Sequence, residues 1–189
     1  MSFVTEYVRA IIREVNGRLD PVHAAAQYAH LGQKRRTGKP YISHPENVAS
    51  IVRKYYPGNS VAYFSALLHD SLEDAIDQGN VEDEEEMIAL IDDAIEDDEI
   101  AEEVIDVVLA LTKAKGANYS DYLMSLTSFP DALTVKMADM LDNISDNPSE
   151  HQKKKYSLAL YNLEEYFGGK PGFINDKHWK ALRSIVSDV

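Results

Sequence analysis

The chain of 189 residues has a formal net charge of −13, with 44% hydrophobic residues, 27% charged residues and no cysteine. That is one domain's length with enough apolar material for a buried core; it excludes disulfides, thiolate metal sites and a cysteine nucleophile, and such acidity disfavours binding to nucleic acid backbones. No apolar run approaches the roughly 18 residues that cross a bilayer.

The segment MSFVTEYVRAIIREV carries Glu6 and Arg9 inside its apolar stretch and lacks a basic leader, so it does not read as a signal peptide. A cytoplasmic chain with neither membrane nor nucleic-acid partner is the expectation, and the oligomeric state is not readable. Phe3, Val4, Tyr7, Val8, Ile11, Ile12 and Val15 repeat at three- and four-residue spacing and predict a first helix. Asp20-Pro21 supplies an N-cap and an N1 proline for a second, running to about Leu31. Residues 32–44, GQKRRTGKPYISH, read as a loop with four cations: Lys34, Arg35, Arg36 and Lys39. A third helix is expected over Pro45 to Tyr56, closed by Pro57-Gly58. A fourth begins at Asn59 or Ser60 and carries VAYFSALLHDSLEDAI without interruption. Residues 82–103 hold thirteen carboxylates and no cation; apolar residues at helical spacing between them predict two acidic amphipathic helices, the second reaching about Ala114. Their acidic faces read as solvated, since no spaced calcium-binding loop is present. Pro130-Asp131 opens another helix, Ser149 to Gln152 fits a capping box for one running to Phe167, GGKPG is a loop, and a short helix closes the chain. The fold class is all-α, a single domain over residues 1–189 of about ten helices with no strand pattern.

Chemistry concentrates in three segments. His69 and Asp70 follow an apolar run, and Glu73 and Asp74 come four residues later, which in one continuous helix puts all four on one face. Four ionisable groups beside an apolar run are costly to bury unless a cation or a partner compensates them; a solvated surface stripe is the alternative. His44 ends the cationic loop, and Asp139 sits in the apolar segment VKMADMLDN. Together His44, His69, Asp70 and Asp139 offer two imidazoles and two carboxylates to one divalent cation. Such a mixed set suits a six-coordinate transition ion, manganese (Mn2+) above all, with other divalent metals possible.

The blocks AAAQYAHLGQKRRTGKPYISHPENVASI, ALLHDSLED, LTK and VKMADMLDN stand in order over residues 22–143. They resemble the HD-type hydrolase domain of the RelA/SpoT family, and above all the small alarmone hydrolases that have this domain without a synthetase. The resemblance implies an HD-domain helical bundle and metal-dependent hydrolysis of guanosine 3′,5′-bis(diphosphate) (ppGpp and pppGpp), with release of the 3′-pyrophosphate to leave GDP or GTP, a reaction of the stringent response. It implies metal ligation by His44, His69, Asp70 and Asp139, and a water-activating acidic pair in Glu73 and Asp74. It also implies nucleotide contacts by Arg35 and Asn143, and Lys34, Arg36 and Lys39 add charge compensation for phosphates. Where the synthetase-linked enzymes have ADRLHN this chain has ADMLDN; Met140 and Asp142 replace an arginine and a histidine beside the expected pocket, which puts specificity in question. Nothing in the chain resembles the synthetase domain. Other readings stay open: the same scaffold acting on another nucleotide (the NADPH 2′-phosphate, an adenosine alarmone, a nucleoside phosphate), or a non-catalytic alarmone-binding module. His30 reads as a packed or hydrogen-bonded core histidine, His178 as a surface or core residue without a motif, Tyr41 as a residue shaping the loop, Lys136 as either a phosphate contact or a surface lysine. Tyr55, Tyr56, Tyr156, Tyr161 and Tyr166 are expected to pack at helix interfaces.

Overall fold

A computed structural model describes residues 20–145 and 148–186; the helix expected over 3–15 lies outside them. The described residues form ten α-helices and one 3₁₀ turn, with no strand. In chain order the helices are α1 (Pro21–Ala29), α2 (Ser43–Tyr55), α3 (Ser60–Leu68), α4 (Ser71–Asp77), α5 (Glu84–Ala94), α6 (Asp98–Leu111), α7 (Tyr119–Ser125), α8 (Pro130–Ser145), α9 (Glu150–Phe167) and α10 (Asp176–Val186), with the 3₁₀ turn Leu126–Ser128 before α8.

The caps explain most of the boundaries. Asp20 accepts from the Val22 amide ahead of Pro21, Asn59 from Ala62, Asp83 from Glu86 and Asp97 from Ile100, which satisfies amides that a helix start leaves orphaned. Ser149 and Gln152 form the expected capping box, and α9 stops at Gly168, whose φ of 66° is open to glycine without a Cβ penalty. The acidic helices α5 and α6 bury Met87, Leu90 and Ile91, and Ala101, Val104, Val107 and Val108, while their carboxylates face water. α6 ends at Leu111 rather than near Ala114, and the chain then makes α7, which the sequence pattern did not announce.

Helices α2, α3, α6 and α8 pack into the centre of the bundle. α3 is almost wholly apolar and α8 buries eleven of its residues, from Ala132 to Ile144, so both are surrounded by protein as an all-round hydrophobic helix must be. Met140 is fully buried there; it is a core residue and not, as expected from its position in the motif, a wall of the pocket. Tyr156 is buried, but Tyr161 and Tyr166 are 55% and 60% exposed on the outer face of α9, so those two do not fill an interface.

The expected single helix through His69 and Asp70 is two helices. α3 ends at Leu68, Asp70 takes φ −104° and ψ 0°, and α4 begins at Ser71. The break is held by local side chains: His69 Nδ1 donates to the Ala66 carbonyl at 2.9 Å and Ser71 Oγ to the Leu68 carbonyl at 2.6 Å. These bonds take up carbonyls at the helix end. His69 and Asp70 therefore occupy the junction between two helices instead of the face of one.

Candidate metal centre

Three elements deliver the central cluster. His44 lies in the first turn of α2, His69 and Asp70 sit at the α3–α4 junction, and Asp139 lies midway along α8. His44, His69 and Asp70 each place a ligand atom within 4.8 Å of the others. Asp139 Oδ1 joins them, 3.1 Å from His44 Nε2 and 3.9 Å from His69 Nε2. Asp70 Oδ2 lies 3.1 Å from His69 Nε2 and 3.7 Å from His44 Nε2. Three of the residues named from sequence thus form one group and Asp139 lies beside its two histidines, although Asp139 is 95 positions from His44 along the chain.

The donor set fits a cation. His69 Nδ1 faces a carbonyl, which can only accept, so Nδ1 carries a proton and Nε2 is the nitrogen turned to the cluster. That Nε2 is buried with no hydrogen-bond partner among the described residues. It lies 3.1 Å from Asp70 Oδ2, so a divalent ion could be held by both groups. Without such an ion, His44 holds a proton instead: burial opposes its charge, but hydrogen bonds to Asp139 and Asp142 and the nearby Asp70 outweigh burial and raise it to about 9. Burial likewise works against Asp70 and Asp139, yet His69 and Lys136 respectively lead the opposing charges and keep both carboxyls below the usual range.

Residues that the sequence left aside support this cluster. Tyr41 donates its hydroxyl to Asp70 Oδ2 at 2.7 Å, so it holds a ligand besides shaping the loop. Lys136 is not a surface lysine: its Nζ lies 2.7 Å from Asp139 Oδ2, with 17% of its side chain exposed. Asn143, one turn on from Asp139, donates to Asp139 Oδ1. Asp142 Oδ2 accepts from His44 Nδ1 at 2.6 Å and from Arg35 Nη1 at 2.8 Å. No sequence signal marks these contacts, apart from the i, i+3 spacing that puts Lys136, Asp139 and Asp142 on one side of α8.

The acidic pair divides. Glu73 is exposed, and Asp74 is half-buried with Oδ2 3.5 Å from His30 Nδ1. Burial, followed by the charges of Asp70 and Glu73, lifts the Asp74 carboxyl to about 6, against a hydrogen bond from Gln33. Burial and then Asp70 also raise Glu73. His30 is a packed, hydrogen-bonded residue, 4% exposed, bonded to Gln33 at 2.8 Å.

A cleft of about 700 Å³ opens over the cluster, lined by Lys34, Arg35, Arg36, Tyr41, His44 and Asn143 and by the start of α9. Its cations are presented by a tight turn. Lys34 and Pro40 form an isolated antiparallel bridge, the Arg35 amide donates to the Lys39 carbonyl at 2.9 Å, and the Gly38 amide donates to the Arg35 carbonyl at 2.9 Å. Gly38 sits at φ 83°, a conformation other residues adopt only with strain. Lys39 faces the other side of Arg35, in a second hollow of about 360 Å³ shared with Asp142.

The profile of the HD domain family matches residues 22–163. The chain is similar to the guanosine-3′,5′-bis(diphosphate) 3′-pyrophosphohydrolase of Haemophilus influenzae, at 30% identity over 75% of this chain and 20% of that protein. It is similar to the bifunctional (p)ppGpp synthase/hydrolase SpoT of Escherichia coli K12, at 27% over 79% of this chain and 21% of that protein. A third relative is the GTP pyrophosphokinase of Streptomyces coelicolor, at 26% over 79% of this chain and 17% of that protein. The chain spans about a fifth of the length of the curated relatives it matches. With the family profile over most of its length, the chain belongs to the HD domain family.

Proposed function

We propose that the chain is a divalent-metal-dependent phosphohydrolase that removes the 3′-diphosphate of guanosine 3′,5′-bis(diphosphate) and its pentaphosphate as pyrophosphate. The observation that carries this reading is the convergence of His69, Asp70 and Asp139 on His44, which itself lines a cationic cleft. A chain of net charge −13 repels a free nucleotide at long range; Lys34, Arg35 and Arg36 reverse the local sign where phosphates would enter. The cleft volume lies within the range of small-molecule sites.

His44, His69, Asp70 and Asp139 would hold the ion, manganese being the one that best suits two imidazoles with two carboxylates. When bound, such an ion polarises phosphoryl oxygens and favours ionisation of water near neutral pH. The chain's own groups do the rest. Asp74, ionised above about 6, accepts a proton from the attacking water, and Glu73 orients that water. The water oxygen bonds to the phosphorus next to the ribose, the bond from that phosphorus to O3′ breaks, and the pair of electrons leaves with O3′, which takes up a proton. Lys34, Arg35 and Arg36 neutralise the negative charge of the diphosphate while it passes from O3′ to the water oxygen. Asn143 lines the cleft and is also bonded to Asp139; from there it would meet the ribose or a phosphate.

The test is purified protein with Mn2+ and guanosine tetraphosphate, scored for GDP and pyrophosphate, beside Asp70→Ala and Glu73→Ala. Turnover is expected, with each variant slowed on the order of 10²-fold or more. Persistent activity in both variants overturns the assigned roles. Release from NADPH or an adenosine alarmone but not from the guanosine compound replaces the substrate, and full metal loading with no turnover of any nucleotide replaces catalysis with binding.

A further inference from the structure

Asp142 occupies the position where the RelA/SpoT pattern has a histidine, and it lines the hollow beside Arg35 rather than the cluster itself. Its environment is specific. Asp139 and Asp142 are i, i+3 on α8, and the His44 ring lies between them: Nε2 is 3.1 Å from Asp139 Oδ1, and Nδ1 is 2.6 Å from Asp142 Oδ2. A carboxylate only accepts, so Nδ1 must carry its proton toward Asp142 and the other nitrogen is the one presented to the cluster. The same Oδ2 also accepts from Arg35 Nη1 at 2.8 Å, a charge-assisted bond with both side chains largely buried, at 14% and 10% exposure. One oxygen atom therefore touches both a candidate metal ligand and a cation of the cleft.

We propose that Asp142 is a positioning residue that sets the ring orientation of His44 for the metal and, through the same oxygen, holds Arg35 at the cleft mouth, coupling the metal centre to the phosphate site. The inference rests on the metal-centre reading above but not on the identity of the nucleotide. Outer carboxylates behind ligating histidines fix ring orientation, and losing one weakens metal affinity by about 10- to 100-fold. Asparagine keeps an oxygen that accepts from Nδ1 but gives up the ion pair with Arg35, so the two substitutions separate the two halves of the role.

The experiment is calorimetric titration of the full chain with Mn2+ alone, no nucleotide present, for the parent, Asp142→Ala and Asp142→Asn, with circular dichroism of each. The alanine variant is expected to bind Mn2+ about 10- to 100-fold more weakly, and the asparagine variant to recover most of that loss. In nucleotide assays at saturating Mn2+, Asp142→Asn should lower kcat/KM, because the Arg35 half is missing while the metal is fully bound. If Asp142→Ala does not fold, the tautomer of His44 is read in the parent loaded with Zn2+, by long-range ¹H–¹⁵N spectra, where a proton on Nδ1 is expected. Unchanged Mn2+ affinity in a folded Asp142→Ala, equal losses in both variants, or a proton on Nε2 overturns the proposal. A parent that binds Mn2+ with the predicted variant pattern yet hydrolyses no nucleotide leaves this inference standing and removes the function proposed above.

Discussion

Lys136→Met is the sharpest test of how the cluster is balanced. Methionine keeps the apolar stem that packs near Tyr122, whose ring centre is 5.5 Å from Nζ, and removes only the charge 2.7 Å from Asp139 Oδ2. At that distance two unit charges attract by roughly 6 kcal/mol at an effective permittivity of about 20. Removing one partner of a buried pair leaves the other uncompensated, at a net cost of about 3–5 kcal/mol. Asp139 keeps contacts to Asn143 and His44, so the lower end applies, about 3 kcal/mol. In a domain of this size that corresponds to a fall in Tm of about 6–12 °C. A divalent ion at the site supplies the missing positive charge, and loss of Lys136 removes a repulsion to that ion, so saturating Mn2+ should narrow the deficit. The assay is thermal unfolding followed by circular dichroism, in chelator and in excess Mn2+. A drop below about 2 °C in chelator, or the same deficit in both conditions, would refute the reasoning.

Tyr41→Phe deletes the hydroxyl bonded to Asp70; a hydrogen bond to a charged group contributes about 1.5–3 kcal/mol, so Mn2+ affinity should fall at least tenfold in a titration, with the fold unchanged by circular dichroism. Without metal, His44 is protonated up to about 9, above its unfolded value near 6.5. The stability from that proton is full below about 6.5 and is lost as pH rises through about 9. A metal must displace the proton, so at pH 7.5 Mn2+ binding should release it, visible as heats that vary with buffer ionisation enthalpy, and affinity should climb with pH until about 9. Heats independent of buffer would contradict this. For Asp74, ionised above about 6, kcat/KM should decline as pH falls through that region, and Asp74→Asn should lose on the order of 10²-fold at neutral pH together with that acid limb.

Local rules made much of the fold legible. Asp20-Pro21, Asn59 and the Ser149–Gln152 box mark helix starts because a capping side chain answers backbone amides within a few residues. The apolar stripes of α5 and α6 stand out among their carboxylates for the same local reason. His69, Asp70 and Asp139 stand out as ionisable residues beside apolar runs, whereas His44 ends a cationic loop and joins them through the resemblance of its block to the RelA/SpoT hydrolase domain. What could not be read depends on neighbours far along the chain or on competition within one turn. His69 and Ser71 break the helix through bonds to carbonyls three residues back, in a stretch with no glycine or proline to signal an end. Asp142 reaches His44 and Arg35 across 98 and 107 positions, and nothing in ADMLDN separates an Asp142 turned to His44 and Arg35 from a Met140 packed in the core. Lys136 reads equally as a phosphate contact or a surface lysine because its partner, Asp139 Oδ2, is specified only once α8 is embedded in the bundle.

The central claim is that one divalent ion is held between the α3–α4 junction, α2 and α8. Crystals grown with Mn2+ and measured at the manganese absorption edge test it directly. The account predicts a single strong anomalous peak ligated by His44 Nε2, His69 Nε2, Asp70 and Asp139; no peak there, with manganese bound elsewhere or absent from the molecule, would contradict it.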